Sequence, residues 1–355
     1  MLRFYTSGES HGEAIYGFLE GIPPNLDINE AFITKELERR RKGYGRSIRQ
    51  KEEKDSFRIL TGIINGKTTG SPITIEIKNK KRDSLKHMNV PRPGHADLAG
   101  AIKYGIDNIA IIAERASARE TAARVALGAI AKLYLSESNI LITSFVHQIG
   151  NVKLERELYP LTNQEFAKVE IDELIESTDN NSMRCPDNDV DEKMKKFVEN
   201  TMQKGDSVGG SFTVIAYNIP VGLGSHVQWD QKIDASLSAA LMSIQGIKGV
   251  EFGLGFAGSL KAGSEYHDSI YYDKNFYRKT NRAGGIEGGM TNGEPIIIKC
   301  AVKPPSSLQN PIDSIDLDSK QHSFAQYMRS DSCFVPAAGV VAEAMTALII
   351  SGYIN

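Results

Sequence analysis

Apolar and polar positions along the chain fall into two kinds of pattern. Short runs that are apolar or alternate with polar residues, Ile73-Thr74-Ile75-Glu76-Ile77 and Ile296-Ile297-Ile298-Lys299-Cys300, predict strands, each leaving a glycine-rich turn. Longer runs are apolar or small almost all the way round: Ser117 to Leu135, Ala235 to Ile244 following Asp234, and Pro336 to Ile350, which is interrupted only by Glu343. A helix apolar on every side belongs inside a protein. With strand patterns before and after them, these helices predict an α+β fold, a helical layer sandwiched between antiparallel sheets. Ser117-Ala118-Arg119-Glu120 has the spacing of a capping box, in which Ser117 accepts from a first-turn amide and Glu120 reaches back. From about 151 to 203 the chain is more polar; Ser177 to Ser182 predicts a loop and Asp191 to Gln203 a solvated helix.

An internal repeat organises these elements. Gly62-Ile63-Ile64-Asn65-Gly66-Lys67-Thr68-Thr69-Gly70-Ser71-Pro72 matches Gly285-Ile286-Glu287-Gly288-Gly289-Met290-Thr291-Asn292-Gly293-Glu294-Pro295 at six of eleven positions without a gap. The repeat predicts two pseudo-symmetric halves, about 1–150 and 205–355, in one large domain.

Length and composition narrow the class. With 355 residues, 41% of them hydrophobic, the chain can bury a large core. A net charge of -2 argues against general affinity for nucleic acid or an anionic membrane, so any basic site must be local. Cys185, Cys300 and Cys333 lack the paired spacing of a zinc site or disulfide framework, which fits a reducing cytoplasm and no bound metal. The first residues lack a basic region followed by an apolar stretch, so neither secretion nor membrane spanning is expected.

The candidate chemistry centres on two histidines in glycine-flanked settings, His11 in Gly8-Glu9-Ser10-His11-Gly12 and His95 in Pro91-Arg92-Pro93-Gly94-His95-Ala96-Asp97. Histidine exchanges a proton near neutral pH, and glycine lets backbone close on a ligand. Gly66-Lys67-Thr68 is not a phosphate-binding loop, because Gly62 stands one residue too near and a strand pattern replaces the required helix. The basic run Arg39 to Arg49 suits either a small anion or a nucleic acid, and Glu52, Glu53 and Asp55 weaken the latter. Glu114-Arg115-Ala116-Ser117-Ala118-Arg119-Glu120 puts two arginines and a serine at a helix start, a second place for an anion. Arg329-Ser330-Asp331-Ser332-Cys333 sets similar groups before the last helix.

Together with Gly205-Asp206-Ser207-Val208-Gly209-Gly210 and Gly284-Gly285-Ile286-Glu287-Gly288-Gly289, these segments resemble the chorismate synthase family, in family order over nearly the whole chain. The resemblance implies 1,4-trans elimination of phosphate from 5-enolpyruvylshikimate 3-phosphate to give chorismate, with reduced FMN required and no net oxidation. It makes His11 the proton donor to the leaving phosphate, His95 a proton donor to the flavin, and Asp331 an aid to flavin N5 as base. The flavin contacts it implies are Arg115, Ala116, Ser117, Gln245, Gly246, Gly289, Lys303, Pro304, Pro305, Ser306, Ser307 and Arg329. Ser10, Arg40, Arg46, Arg49, Arg92, Ser117, Arg119 and Arg329 would take substrate phosphate and carboxylates or NADP. For Arg40 and Arg46 substrate phosphate is favoured, since no Gly-x-Gly-x-x-Gly is read after a strand.

Departures from the family pattern are Ala110 where Arg is frequent, Gln245-Gly246 for the usual Pro-Ala or Asn-Ala, and Lys303-Pro304-Pro305-Ser306-Ser307 for a Lys-Pro-x-Pro-Thr pattern. The family implies a homotetramer, and it leaves open whether the chain reduces its own flavin or a separate flavin reductase does so with NADPH as an indirect reductant. Two other classes remain open at this point: a nucleic-acid-binding protein using Arg39 to Arg49, and a flavin oxidoreductase.

Overall fold

The computed structural model describes residues 2–47, 53–80, 85–155, 161–328 and 330–354. Two antiparallel sheets enclose a layer of helices. The first sheet runs Arg3–Ser7, Ala14–Glu20, Ile73–Lys78, Phe57–Thr61 in spatial order. The second runs Ile247–Phe252, Ile296–Val302, Gly210–Tyr217, Leu141–Ile149, with the short Val152–Lys153 at its edge. Between them lie helices Thr121–Ser136 and Val335–Ser351, and in the latter every residue except Ile349 is buried. The small residues seen in the sequence set the spacing: a Cβ added to Gly128 would sit 2.3 Å from that of Ala344, and one on Gly17 would meet Leu127 at 3.1 Å. Helix thus packs on helix, and sheet on helix, at distances larger side chains would forbid.

The sheets repeat one plan. Ala14–Glu20, Phe57–Thr61 and Ile73–Lys78 occupy the same relative places as Gly210–Tyr217, Ile247–Phe252 and Ile296–Val302. Each of the matched glycine turns folds as a two-strand hairpin in equivalent register, Ile63 opposite Thr68 and Ile286 opposite Thr291. In the first, Thr68 Oγ1 donates to Pro23 O and accepts from Leu26 N; in the second, Thr291 Oγ1 donates to Pro220 O and accepts from Leu223 N. Gly62 and Gly285 have φ of +82° and +79°, the left-handed region that glycine alone enters without cost.

Two local readings are corrected. Ser117 Oγ does accept from the Arg119 amide, but Glu120 turns away to Thr6, Arg124 and Gln245, so no capping box forms and a 3₁₀ turn, Ala118–Glu120, precedes the helix. Ser177 to Asn180 is not loop but the end of helix Ile171–Asn180, where Asp179 is held by Arg39 and Arg184. The next helix, Asn188–Gln203, is amphipathic rather than simply solvated, burying Asp191, Met194 and Val198.

The layers are pinned by one buried carboxylate. Glu343, fully buried, accepts from Arg39 at 2.7 Å, Lys132 at 2.6 Å, Arg184 at 3.1 Å and Ser144 Oγ at 2.6 Å. Glu36 bridges Arg39 and Lys132, at 2.9 and 2.6 Å. Burial alone would raise the Glu343 carboxyl, but Arg39, Lys132 and Arg184 outweigh it and hold it well below the usual carboxylate range. Glu343→Ala leaves three buried cations short of a partner and is expected to destabilise the fold by about 3–5 kcal/mol. An unchanged urea midpoint would contradict this. Because the folded pKa lies below the unfolded one, the stabilisation is complete above the ordinary carboxylate range and is lost as pH falls through the folded value. Glu343→Gln should therefore flatten the acid limb of the stability profile, which urea melts at successively lower pH will test.

Candidate active site

His11 lies on the loop between the first two strands. Gly8 makes this loop possible: its φ is +97°, and a Cβ there would sit 2.3 Å from Ala14 O. The last turn of helix Ile109–Ala116 holds the loop from one side. Glu114 O accepts from Ser10 N, Glu114 Oε2 from His11 N at 2.6 Å, and Glu114 Oε1 lies 2.6 Å from His11 Nδ1. Arg115 donates to Thr6 O and Gly8 O. From the other side Asn79 Nδ2 donates to Glu9 O and Gly12 O, while its Oδ1 accepts from Arg119 Nε at 2.8 Å.

Behind this loop lies a buried chain of charges. Asp55 bridges Arg119 and Arg40, the latter at 2.8 Å. Burial pushes the Asp55 carboxyl up, yet the two guanidiniums prevail and bring it to about 2. Arg46 pairs with Asp331 at 2.7 Å, and the other Asp331 oxygen accepts from Ser47 N at 2.7 Å. Burial, with Arg40 nearby, lowers the Arg46 pKa despite Asp331. The basic run is therefore no solvated face: Arg39 and Arg40 are buried and committed to carboxylates, and Arg41 donates to Glu53 O. A nucleic-acid surface of exposed cations is not what these residues form.

The second histidine sits in a matching arrangement. Asp97, fully buried, accepts from Arg92 N, from Arg92 Nε at 2.8 Å and from Arg92 Nη2 at 3.0 Å, and lies 2.5 Å from His95 Nδ1. Burial would raise the Asp97 carboxyl, but these partners hold it far below its ordinary value. Gly94 O accepts from Ser306 Oγ, which in turn accepts from Lys303 Nζ at 2.7 Å. Burial, then Lys248 and Arg92, lower the Lys303 pKa.

Contacts bring most of the predicted residues into one connected band. Arg115 reaches Thr6, Thr6 reaches Glu120, and Glu120 accepts from Gln245 Nε2 at 2.7 Å. Gly246 O accepts from Lys303 N, and the Lys303 segment touches the His95 loop through Ser306. Pro305 O accepts from Ser207, and Ser307 bonds Met328 and accepts through its carbonyl from Ser330, next to Asp331. Gly289 stands apart on the second hairpin, its carbonyl taking Ile233 N. Arg49 and Arg329 lie outside the described residues. Arg92 and Arg119 are spent largely on Asp97 and Asp55, whereas Nε of Arg40, Nε of Arg46 and Oε1 of Gln245 are buried with no hydrogen-bond partner among the described residues. Buried donors and an acceptor left open in this way fit a ligand that carries both phosphate oxygens and ring N–H groups.

The absence of a glycine fingerprint after a strand is also corrected. Gly253-Leu254-Gly255-Phe256-Ala257-Gly258 has that spacing and directly follows strand Ile247–Phe252. It opens a helix of only four residues, Gly255–Gly258, from an antiparallel strand, and the Glu251 carboxylate accepts from Phe256 N at the position a pyrophosphate would need. It is no dinucleotide site. Among the described residues there is no cluster suited to a metal ion, and no helix is long and apolar enough to cross a membrane.

Sequence reasoning missed Glu114, Asn79 and Asp55. Glu114 lay beside a recognised arginine, but its partner is 103 residues away and only the fold joins them.

Comparison with known proteins identifies the family. The family model described as chorismate synthase matches residues 2–354. The chorismate synthase of Caldanaerobacter subterraneus subsp. tengcongensis is 48% identical over 99% of this chain and 92% of its own length. That of Aquifex aeolicus is 46% identical, with 99% and 92% covered. A crystal structure of a chorismate synthase superposes with a TM-score of 0.81 at 41% identity, over 99% of this chain and 91% of the other. The chain belongs to the chorismate synthase family, lyases that eliminate phosphate from 5-enolpyruvylshikimate 3-phosphate to form chorismate with the help of a reduced flavin.

Proposed function

We propose that His11, His95 and Asp331 carry the proton chemistry of this elimination, in a site that takes reduced FMN. The observation that supports the reading is the connected band running from Arg115 through Gln245 and Lys303 to His95 and Asp331. Bound reduced FMN would lend electron density as phosphate leaves and accept the ring hydrogen at N5. Arg115, Ala116, Ser117, Gln245, Gly246, Gly289, Lys303 to Ser307 and Arg329 would hold it.

The protein's own residues supply the rest. As the carbon–oxygen bond breaks, its electron pair leaves with the phosphate, and His11 gives that oxygen a proton from Nε2. His95, anchored through Nδ1 by Asp97, offers a proton to the flavin. Asp331, gripped by Arg46 and the Ser47 amide, supports removal of the ring proton. Arg40 and Arg46 are the preferred phosphate ligands because each keeps a buried open donor; Ser10, Arg49, Arg92, Ser117, Arg119 and Arg329 complete the anion site. Substrate phosphate is favoured over NADP there.

This reading makes the protein a cytoplasmic homotetramer whose FMN is reduced by a separate reductase drawing on NADPH. Three buried free cysteines suit a reducing compartment. Exposed Tyr5, Phe18, Leu60, Trp229, Tyr272 and Phe276 offer apolar surface for subunit contacts.

In an anaerobic assay with chemically reduced FMN, phosphate and chorismate should appear together with no stoichiometric loss of reduced flavin; consumption of NADPH or reduced flavin in proportion to product would instead mark an oxidoreductase. His11→Ala should slow turnover roughly 10²- to 10⁴-fold with the fold intact, and wild-type turnover would remove His11 from the chemistry. Arg46→Ala should raise KM for the phosphorylated substrate by about tenfold or more, the size of a lost charge-assisted hydrogen bond. Fluorescence titration should show FMN binding affected less; equal losses for both ligands would reassign Arg46.

A further inference from the structure

We infer that Glu114 is the positioning residue that fixes which nitrogen of His11 meets the substrate. The inference rests on the reading of His11 as proton donor, but its structural content can be tested separately. One carboxylate grips one residue twice: Oε1 lies 2.6 Å from the His11 ring at Nδ1, and Oε2 accepts from the His11 backbone N at 2.6 Å. The ring cannot swing away without breaking the first contact, and the loop cannot shift without breaking the second. A carboxylate only accepts, so Nδ1 is held as the donor and Nε2 is the nitrogen left to exchange a proton. The His11 side chain is 26% exposed and that of Glu114 13%, so the carboxylate is the more buried member of the pair.

Glu114 is itself rigidly placed. It belongs to the last turn of helix Ile109–Ala116, its carbonyl accepts from Ser10 N, and its neighbour Arg115 holds Thr6 O and Gly8 O. Asn79 secures Glu9 O and Gly12 O on the other side. The His95 loop uses the same device: Asp97 contacts Nδ1 with one oxygen and takes a backbone amide of its own loop, Arg92 N, with the other. Two unrelated segments thus hold a histidine at Nδ1 with a buried or half-buried carboxylate, although at His95 the Arg92 guanidinium also lies 3.4 Å from Nε2. The proton balance follows. A protonated ring gives up its Nε2 proton to the phosphate oxygen that takes the bond pair, and is left neutral with Nδ1–H still on Glu114, so no tautomer change accompanies the step.

Glu114→Gln tests this, because glutamine keeps an acceptor for the backbone N–H but turns an N–H₂ donor toward Nδ1. In protein carrying ¹⁵N-histidine, with the His11 signals assigned by their loss in His11→Ala, the neutral ring should change from the Nδ1–H to the Nε2–H tautomer. The kcat should fall about a hundredfold with KM near wild type, and the substitution should cost nothing further in a His11→Ala background. Glu114→Asp, which keeps the charge on a shorter arm, should retain the Nδ1–H tautomer and recover part of kcat. An unchanged tautomer in Glu114→Gln overturns the positioning role, whatever the activity. A changed tautomer with wild-type kcat, while His11→Ala is slow, overturns its catalytic consequence. Fast turnover by His11→Ala overturns the acid role of His11 alone and leaves the tautomer result to decide on Glu114.

Discussion

The architecture depends on a carboxylate with no access to water. Glu343 lies on a helix that is otherwise apolar and buried, where an unpaired charge would cost several kcal/mol. Its partners come from helix Glu30–Arg41, helix Thr121–Ser136, strand Leu141–Ile149 and the turn at Arg184. Apolar packing between these elements is non-directional and would tolerate sliding. The charges do not, because each must find its partner, so Glu343 fixes the register of the three helices against one another and against the second sheet. Arg39 and Asp179 extend the constraint to the helix that lies between the halves in sequence.

That constraint was invisible in the pattern of residues that predicted the fold. Glu343 read only as an interruption of an apolar run, and Arg39 as one member of a basic segment. What was legible was local. Alternation marked the strands, small residues marked the buried helices, and the glycine repeat marked two hairpins that prove equivalent down to the hydrogen bonds of Thr68 and Thr291. Local signals also failed where a distant partner outbid them: Glu120 had the spacing to cap its own helix, but Thr6, Arg124 and Gln245 claim it.

The site divides in the same way. His11, His95 and Arg46 stood out because loops that close on a ligand need glycine and anion sites need arginine; Asp331 stood out only through the resemblance to the family. The carboxylates Glu114 and Asp55 did not, since a carboxylate carries no mark of the partner it will meet 103 or 64 residues away. Nor could sequence distinguish arginines that are spent from arginines that are available. Arg92 is held by buried Asp97, and Arg119 by buried Asp55, which it shares with Arg40.

With the substrate placed at this cluster as proposed, the sorting accounts for how a protein of net charge -2 would receive a phosphate and two carboxylates. Burying arginines without counter-ions would be prohibitive before substrate arrives, and neutralising every one would leave no field to attract it. Asp55 shared between Arg40 and Arg119, and Asp331 on Arg46, make a compromise. Among the described residues Arg40, Arg41, Arg46 and Arg119 face Asp55, Glu53 and Asp331, four guanidiniums to three carboxylates, and an excess positive charge in low dielectric acts strongly on an anion. The same carboxylates hold the guanidiniums in place, so a phosphate bound there as proposed would find little ordering left to do. Burial, with Arg40 nearby, lowers the pKa of Arg46 despite Asp331, so an added anion beside it would favour its charged form.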